Sequence, residues 1–429
     1  MLKKLRALTV SRLNYYCIML EGLFNLLGHD IIGMTTIVPL FLREYGASMT
    51  LVGATPTIQS VISAVTPLIA GQFIAAAKMK KKISLMFNGA ARTLLLFIPL
   101  MLTFRLPNNM IIFIFFCIIT FFYIGQSVTS IVWNYLMGAC IQPEERGKLL
   151  GSLFALSGLV SFVSSNIVRI LRETPSLTTD QRYIAIFSLG GIITACSVLF
   201  FVPLKETVQS GTDTQKRNVK FYINSLLRCC KNKYFVRLIL CQAFSQICTT
   251  INAFTYVMAN ERIGLASQWI SYMIIIQTVG VICGGFVTGR ISTRYGSKRT
   301  LMLAEGIGFV VPLLQLTLLV TKQSGGSIFF APGFMLTATF LMGFNRSGLM
   351  AFQSHLLEVA GDDNSVYYIV TKNMLLIPLS FTSVLVGICF DKFPNNINMI
   401  YIAQALFAVA AILFAARLKL FVYTAKKTG

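Results

Sequence analysis

The sequence predicts an all-α membrane protein with twelve transmembrane helices in two six-helix halves related by pseudo-twofold symmetry. Three observations lead to this fold class. First, 55% of the 429 residues are hydrophobic and only 12% are charged, about half the charge of a soluble domain. Second, apolar runs long enough to cross a bilayer recur along the whole chain. Third, one long polar segment divides these runs into six and six.

The spans follow from apolar runs that end at polar loop residues. They are predicted at residues 14–42, 50–77, 83–104, 109–136, 149–171, 183–203, 234–260, 266–289, 300–321, 328–356, 366–389 and 398–417. The first run is too long for the core of a signal peptide and no small-residue cleavage site follows it, so we expect it to be retained. The predicted domains are an N-terminal six-helix bundle (1–203), a cytoplasmic linker (204–233), and a C-terminal six-helix bundle with a short cytoplasmic tail (234–429).

Lysine and arginine are distributed unevenly between the two sides of these spans. With both termini placed inside, the inner segments hold 25 of the 37 Lys and Arg residues and the outer loops hold seven. Cytoplasmic loops of membrane proteins carry this excess. We therefore expect a multi-pass plasma (cytoplasmic) membrane protein with both termini in the cytoplasm. The same distribution accounts for the net charge of +22 without a nucleic-acid partner.

The cysteines predict neither disulfides nor a metal site. None of the ten lies in a segment placed outside, and no pair has metal-ligand spacing. We expect no cofactor, a proton gradient as the energy source, and a monomer whose partners are the lipid bilayer and a small-molecule substrate.

An internal repeat is indicated at an offset of 218 residues. It pairs REYGAS around Gly46 with ERIGLAS around Gly264, Gly71 with Gly289, and Gly125 with Gly343. Chance is the alternative, because the chain contains 31 glycines. Two halves related by an axis along the membrane normal are typical of transporters, which bind substrate between the halves.

The loop after the eighth span, GRISTRYGSKRT (residues 289–300), resembles the signature loop of the major facilitator superfamily, G-x-x-x-D-R-x-G-R-[RK]. Thr293 and Ser297 stand where the family has an acid and an arginine, and Ala75 stands at the acidic position of the first-half copy, GQFIAAAKMKKK. The resemblance implies alternating access, with gating loops that contain Gly71, Lys80, Lys81, Gly289, Arg294, Gly296, Lys298 and Arg299.

A second loop, QPEERGKLLG (residues 142–151), resembles the loop between spans 4 and 5 of many family members, especially drug exporters. That branch often carries a Gly-Pro pair in span 5, which is absent from GSLFALSGLVSFVSSN here. The sequence therefore assigns the superfamily and no subfamily.

The resemblance implies that spans 1, 4, 7 and 10 line a central cavity. Polar residues at spacings of three or four support this in spans 4 and 7, since they form one face of a helix. The predicted cavity lining is Tyr123, Gln126, Ser130, Asn134, Gln242, Gln246, Thr249, Asn252, Tyr256 and Asn345. Hydrogen bonding between helices is the alternative role for these side chains.

Two acidic residues, Glu21 and Asp30, lie in the first span. Nine residues apart, they point to opposite sides of a straight helix. Glu21 lies at a depth similar to that of Arg92 in span 3, which predicts an ion pair. Asp30 lies near the midplane, where a carboxylate lowers its cost by binding a proton. The residues predicted for proton coupling and the central cavity are Asp30, Glu21, His29 and Arg346. The alternative is that Asp30 has a permanent structural partner, either His29 or Arg346.

The leading hypothesis is a proton-coupled secondary active transporter of a small solute, with efflux as one possible direction. A first alternative is an anion or nutrient importer in which Arg346 clamps the substrate. A second is a non-transporting receptor on a transporter scaffold, for which the inner loop and tail leave little room. An enzyme is not expected, because the only histidines are His29 and His355 and no hydrolase or metalloprotease motif is present.

Overall fold

The computed structural model describes residues 2–76, 79–104, 106–141, 143–206, 226–326, 329–346, 348–360 and 365–419, and over these ranges the chain forms helices and short connections without strands. Nine helical segments within these ranges are long and apolar enough to cross a membrane. They are Val10–Glu44, Lys80–Thr103, Asn108–Cys140, Thr179–Phe201, Lys233–Ile263, Ser267–Tyr295, Ser297–Gln323, Thr371–Lys392 and Ile397–Ala416. Each coincides with one predicted span, and further helices cover the other three.

The helices of spans 1 to 6 follow one another with short connections. They are α1 (Leu2–Ile32) and α2 (Ile37–Glu44) in span 1, α3 (Met49–Ala76), α4 (Lys80–Leu94) and α5 (Phe97–Thr103) in span 3, α6 (Asn108–Cys140), α7 (Pro143–Glu173), and α8 (Thr179–Ser197), which continues as the 3-10 turn Val198–Phe201.

The helices of spans 7 to 12 are more often interrupted. They are α9 (Lys233–Thr249), a 3-10 turn (Thr250–Phe254), α10 (Thr255–Met258) and a π turn (Ala259–Ile263) in span 7, α11 (Ser267–Tyr295), α12 (Ser297–Gln323), α13 (Ala331–Asn345) and α14 (Gly348–Ala360) in span 10, α15 (Ser365–Leu376), a 3-10 turn (Ile377–Phe381) and α16 (Thr382–Lys392) in span 11, and α17 (Ile397–Ala416).

The chain divides into two compact units. The first comprises Met1–Ala47 and Thr55–Lys216, and the second comprises Ser48–Ala54 and Arg217–Gly429. The first turns of α3 belong to the second unit because the carboxylate of Asp391 accepts hydrogen bonds from the backbone N–H groups of Met49 and Thr50, at 2.9 and 2.8 Å. Most of the predicted linker 204–233 and of the predicted cytoplasmic tail lies outside the described residues.

Each unit has its own apolar core. In the first unit Ile18 of α1 packs with Val132 and Leu136 of α6. In the second, Phe235 and Leu238 of α9 pack with a cluster that includes residues of α12, α14 and α17. Helices with apolar residues on most of their surface bury one side against each other and leave the other for lipid.

The predicted repeat is visible in the backbone at its first pair of glycines. Gly46 and Gly264 both have positive φ, 84° and 79°, and in each case the next helix begins three residues later. The third pair differs, since a Cβ at Gly125 would meet Ala91 of α4 whereas one at Gly343 would meet Gln277 of α11. The two loops are therefore alike in backbone conformation, and the packing of the fourth helix of each half is not.

Candidate functional site

A buried ion pair joins α1 to α4 in the first unit. The carboxylate of Glu21 lies 2.7 Å from a terminal nitrogen of Arg92, and the two side chains are 2% and 1% exposed. Charges in an apolar interior persist only when they are paired and hydrogen-bonded. Arg92 also donates to Ser197. The predicted Glu21–Arg92 pair is confirmed.

The remaining donors of Arg92 lead to a polar side chain on α6. The Nε and Nη2 atoms of Arg92 donate to Oε1 of Gln126 at 3.4 and 3.3 Å. Gln126 is half-buried and belongs to the wall of a cavity. The ion pair therefore connects to this cavity through one amide group.

The cavity lies within the first unit and has a volume of about 160 Å³. It is formed by side chains of α1, α3 and α6. They are His29, Gln59, Ser63, Pro67, Phe122, Tyr123, Gln126, Ser127 and Ser130. None of these lining residues is Asp, Glu, Lys or Arg, so the wall offers amides, hydroxyls, an imidazole and a few apolar surfaces.

Four of the predicted site residues are brought together here: His29, Tyr123, Gln126 and Ser130. The ring of His29 is roughly parallel to that of Phe122, with centroids 6.4 Å apart. Asn134 lies one turn farther along α6, is exposed, and donates to the carbonyl of Ser130. Its predicted role as a lining residue stays a prediction.

Sequence reasoning missed the contribution of α3. The Oε1 atom of Gln59 accepts from the hydroxyl of Tyr123 at 3.3 Å, and Ser63 lines the cavity one turn later. The available signal was this pair of polar residues, spaced by four in an otherwise apolar helix. The family resemblance directed attention to spans 1, 4, 7 and 10 instead.

Asp30 is separate from the cavity. It is half-buried and accepts a hydrogen bond from the hydroxyl of Ser161 on α7. Glu21 and Asp30 thus contact different helices, as their spacing predicts. Helix α1 runs unbroken through Asp30 and ends before Gly33, whose φ is 62°. Within the described part of its own unit, Asp30 forms no ion pair.

The predicted stripe of span 7 is divided by a change of helix type. Gln242, Gln246 and Thr249 lie on α9, Asn252 lies on the 3-10 turn, and Tyr256 lies on α10. Because the 3-10 turn advances the chain by a different angle per residue, the α-helical spacing does not hold across it. Tyr256 is fully buried and donates to Oε1 of Gln277 at 2.7 Å.

Span 10 places Asn345 and Arg346 at the end of α13. Asn345 is half-buried beside α12, where its Nδ2 atom would lie 3.1 Å from a Cβ at Gly308. Arg346 is exposed, and its backbone N–H donates to the carbonyl of Gly343. The roles predicted for these residues and for the span 7 residues as cavity lining, coupling group or clamp stay predictions.

The second signature loop is a single residue long. Gly296 separates α11 from α12 with φ of 85°, while Gly289 lies inside α11 and Gly71 inside α3. Arg294 and Arg299 are exposed, Lys298 is half-buried, and the guanidinium of Arg299 lies 5.2 Å from the ring centroid of Tyr295. Glycine permits the positive φ that this tight turn requires.

Carboxylates from elsewhere in the chain stand beside both signature loops, which lack their own acid. In the second unit, Ser297 is buried, donates to Glu358 at 2.5 Å, and lies 2.7 Å from Nδ1 of His355. In the first unit, Glu206 accepts from the backbone N–H groups of Lys80 and Lys81, both at 3.0 Å. A carboxylate at a helix N-terminus accepts hydrogen bonds from the free N–H groups of the helix and interacts favourably with the helix dipole.

Two of the lysines of the first loop, Lys80 and Lys81, are also engaged. The Nζ atom of Lys81 donates to the carbonyls of Val202 and Leu204, each at 2.7 Å. The ammonium of Lys80 lies 3.8 Å from the centroid of the Tyr135 ring, a favourable cation–π distance. The start of α4 is thus fixed to the end of span 6 and to α6.

Solved structures of transporters share this fold. A mutant of the nucleoside transporter NupG is similar with a TM-score of 0.69 and 12% identity, covering 94% of this chain and all of its own length. A D-xylose-proton symporter gives 0.68 and 12%, covering 95% and 98%. A bacterial homologue of the iron transporter ferroportin gives 0.65 and 11%, covering 95% and 98%. The predicted fold class is confirmed.

The family itself is shown by the sequence. The family model described as Major Facilitator Superfamily matches residues 18–375, which includes both signature loops and most of the spans. The chain is a multi-pass membrane protein that belongs to the Major Facilitator Superfamily of transporters, and it is not an enzyme.

Proposed function

We propose that the protein moves a small solute across the plasma membrane by alternating access, coupled to protons, with both termini in the cytoplasm. The observation that carries this proposal is the polar cavity of the first unit, which lies in membrane-spanning helices and borders the Glu21–Arg92 pair. Uncharged hydrogen-bonding groups inside a bundle are expensive unless they serve a solute or a partner. Family membership supports transport in general.

Proton coupling is assigned to Asp30. It lies in the middle of a membrane-spanning helix, and its described partner is a hydroxyl rather than a cation, so the described residues of its own unit give it no fixed counter-charge. A carboxyl group in this setting lowers its cost by binding a proton and releases it when water enters. One of the similar structures is a D-xylose-proton symporter, which supports the choice of proton as coupling ion.

Glu305 on α12 is the rival proton carrier. It is 3% exposed, and the described part of its unit gives it no ion pair. We favour Asp30 because α1 also contributes His29 to the cavity wall, one residue away. The two assignments differ in which variant loses coupling.

The test uses purified protein in proteoliposomes and compares Asp30→Asn, Glu305→Gln and the exposed control Glu173→Gln. We expect Asp30→Asn to abolish accumulation against a gradient and to retain exchange of labelled solute, because an amide cannot carry the proton. The other two variants should accumulate solute within about twofold of wild type. Accumulation at wild-type rate by Asp30→Asn would contradict the assignment of proton coupling to Asp30. Loss of accumulation in Glu305→Gln alone would assign the coupling to Glu305 instead.

A further inference from the structure

We infer that the cavity of the first unit takes a neutral, oxygen-rich ring solute, and that Arg92 sets this selectivity by holding the amide of Gln126 with its NH₂ group toward the cavity. The inference rests on the proposed transport function, and it adds the chemical class of the substrate and a positioning residue.

The first step concerns charge. The lining residues include no Asp, Glu, Lys or Arg, and Arg92, which contacts the lining residue Gln126, is paired with Glu21 at 2.7 Å. A charged solute would lose its hydration here without gaining a counter-charge. A neutral solute only exchanges hydrogen bonds with water for hydrogen bonds with hydroxyls and amides. The wall therefore favours a neutral polar solute.

The second step fixes the orientation of one amide. Oxygen and nitrogen of a glutamine are not distinguished by shape, but guanidinium nitrogens are donors only. Two nitrogens of Arg92 lie 3.3 and 3.4 Å from the same terminal atom of the Gln126 side-chain amide. Because both nitrogens are donors, that atom must be the amide oxygen. The NH₂ group is then left for the cavity that Gln126 lines.

The third step concerns shape and complementary groups. An NH₂ group that faces the cavity donates hydrogen bonds and therefore selects solutes with hydroxyl or carbonyl oxygens. The hydroxyls of Ser63, Ser127 and Ser130 can each donate or accept a hydrogen bond. Phe122 and Pro67 offer flat apolar surface to the face of a ring. A cavity of about 150 Å³ is known to hold benzene, so a volume of about 160 Å³ suits a single six-membered or five-membered ring.

The binding test uses solutes that share a scaffold and differ in charge. The probes are D-glucose, D-glucuronate and D-glucosamine, with D-xylose as a further neutral ring. Binding to full-length protein in nanodiscs is followed by the fluorescence of Trp133, which lies on α6 three residues after the lining residue Ser130, in a Trp269→Phe background. We expect saturable binding of at least one neutral probe and of none of the charged forms.

Two variants test the role of Gln126 and Arg92. Gln126→Glu replaces the NH₂ donor by an acceptor and keeps an oxygen for Arg92, so the dissociation constant of the neutral probe should rise at least tenfold. Arg92→Lys keeps a cation for Glu21 and loses the fork that holds Gln126, so KM should rise at least fivefold with kcat within twofold. Gln181→Glu, at a capping position where glutamate also fits, is the matched control and should bind as wild type.

The outcomes separate this inference from the transport proposal. Binding of only charged probes, binding of none, or neutral binding that survives Gln126→Glu would overturn the inference. A lowered melting temperature in Arg92→Lys with unchanged KM would assign Arg92 a structural role only and overturn that part. Neutral binding without any proton-coupled accumulation would refute the proposed coupling and leave the substrate class standing, whereas proton-coupled accumulation of a charged solute would do the reverse.

Discussion

Glu21 and Arg92 meet at 2.7 Å inside the first unit, and their environment explains why neither is dispensable. Each charge is removed from water almost completely, and only its partner and a few hydrogen bonds compensate. Removing one partner of such a buried pair costs roughly 3–5 kcal/mol because the other is left uncompensated. The pair is therefore a condition for folding as well as a neighbour of the cavity.

Glu21→Gln should lower the free energy of unfolding by several kcal/mol, because Arg92 remains buried without a counter-charge. Thermal unfolding of purified protein in detergent measures this. The exposed carboxylate Glu173 provides the control, and Glu173→Gln should change stability by less than about 0.5 kcal/mol. Equal stability of Glu21→Gln and wild type would refute the structural part of the account.

Arg346 tests the anion-importer alternative. Lysine keeps the charge but loses the planar fork that binds carboxylates and phosphates, so a substrate clamp predicts that Arg346→Lys raises KM more than roughly tenfold. We expect a change below about threefold, because the neutral cavity of the first unit needs no such clamp. A large rise in KM for an anion would favour the importer.

At the scale of elements, close approach of two helices requires glycine where a side chain would overlap the neighbouring helix. A Cβ at Gly125 on α6 would overlap Ala91 of α4 and lie 3.0 Å from the carbonyl of Phe87, whereas one at Gly138 on the same helix would meet nothing within 4 Å. Gly125→Ala should destabilise the protein by about 1–3 kcal/mol through overpacking.

Gly138→Ala is the matched control for this prediction. Alanine is more favourable than glycine in a helix interior by up to about 1 kcal/mol, so this variant should be as stable as wild type or more stable. Melting temperatures of the two variants, measured side by side, decide the matter. Equal effects of the two substitutions would contradict the packing of α6 on α4.

The positions of the helices were predictable because bilayer thickness fixes the length of an apolar run. The nine membrane-length segments begin and end within about five residues of predicted spans at nearly every boundary. The 3-10 turn Thr250–Phe254 was not predictable, since neither Gly nor Pro marks it. This 3-10 turn separates Tyr256 from the polar face of span 7 to which the sequence analysis assigned it.

At the scale of the whole molecule, the parts of the site that sequence reasoning missed depend on residues far apart in the chain. Gln59 reaches Tyr123 across 64 positions, and Glu206 reaches Lys80 across 126. Spacing along α6 predicted Tyr123 and Ser130 as site candidates, with Gln126 beside them, whereas His29 was predicted as the neighbour of Asp30 in span 1. Only packing reveals which other helix supplies the opposite wall.

The membrane topology is a prediction about the whole chain. Alkaline phosphatase fused after Pro107 should be active and a fusion after Lys81 should be silent, because the excess of Lys and Arg places the first position outside and the second inside. The reverse activities would require the opposite orientation of all twelve spans.

Proton-driven accumulation is the most direct test of the central claim. Proteoliposomes that contain the protein are given an inward proton gradient, an outward proton gradient or none, and the internal concentration of the neutral solute that binds best is followed over time. We predict that a proton gradient of one sign or the other concentrates the solute above its external level, and that a protonophore abolishes this. A solute that only equilibrates, with the same final level under all three conditions, would contradict proton-coupled transport.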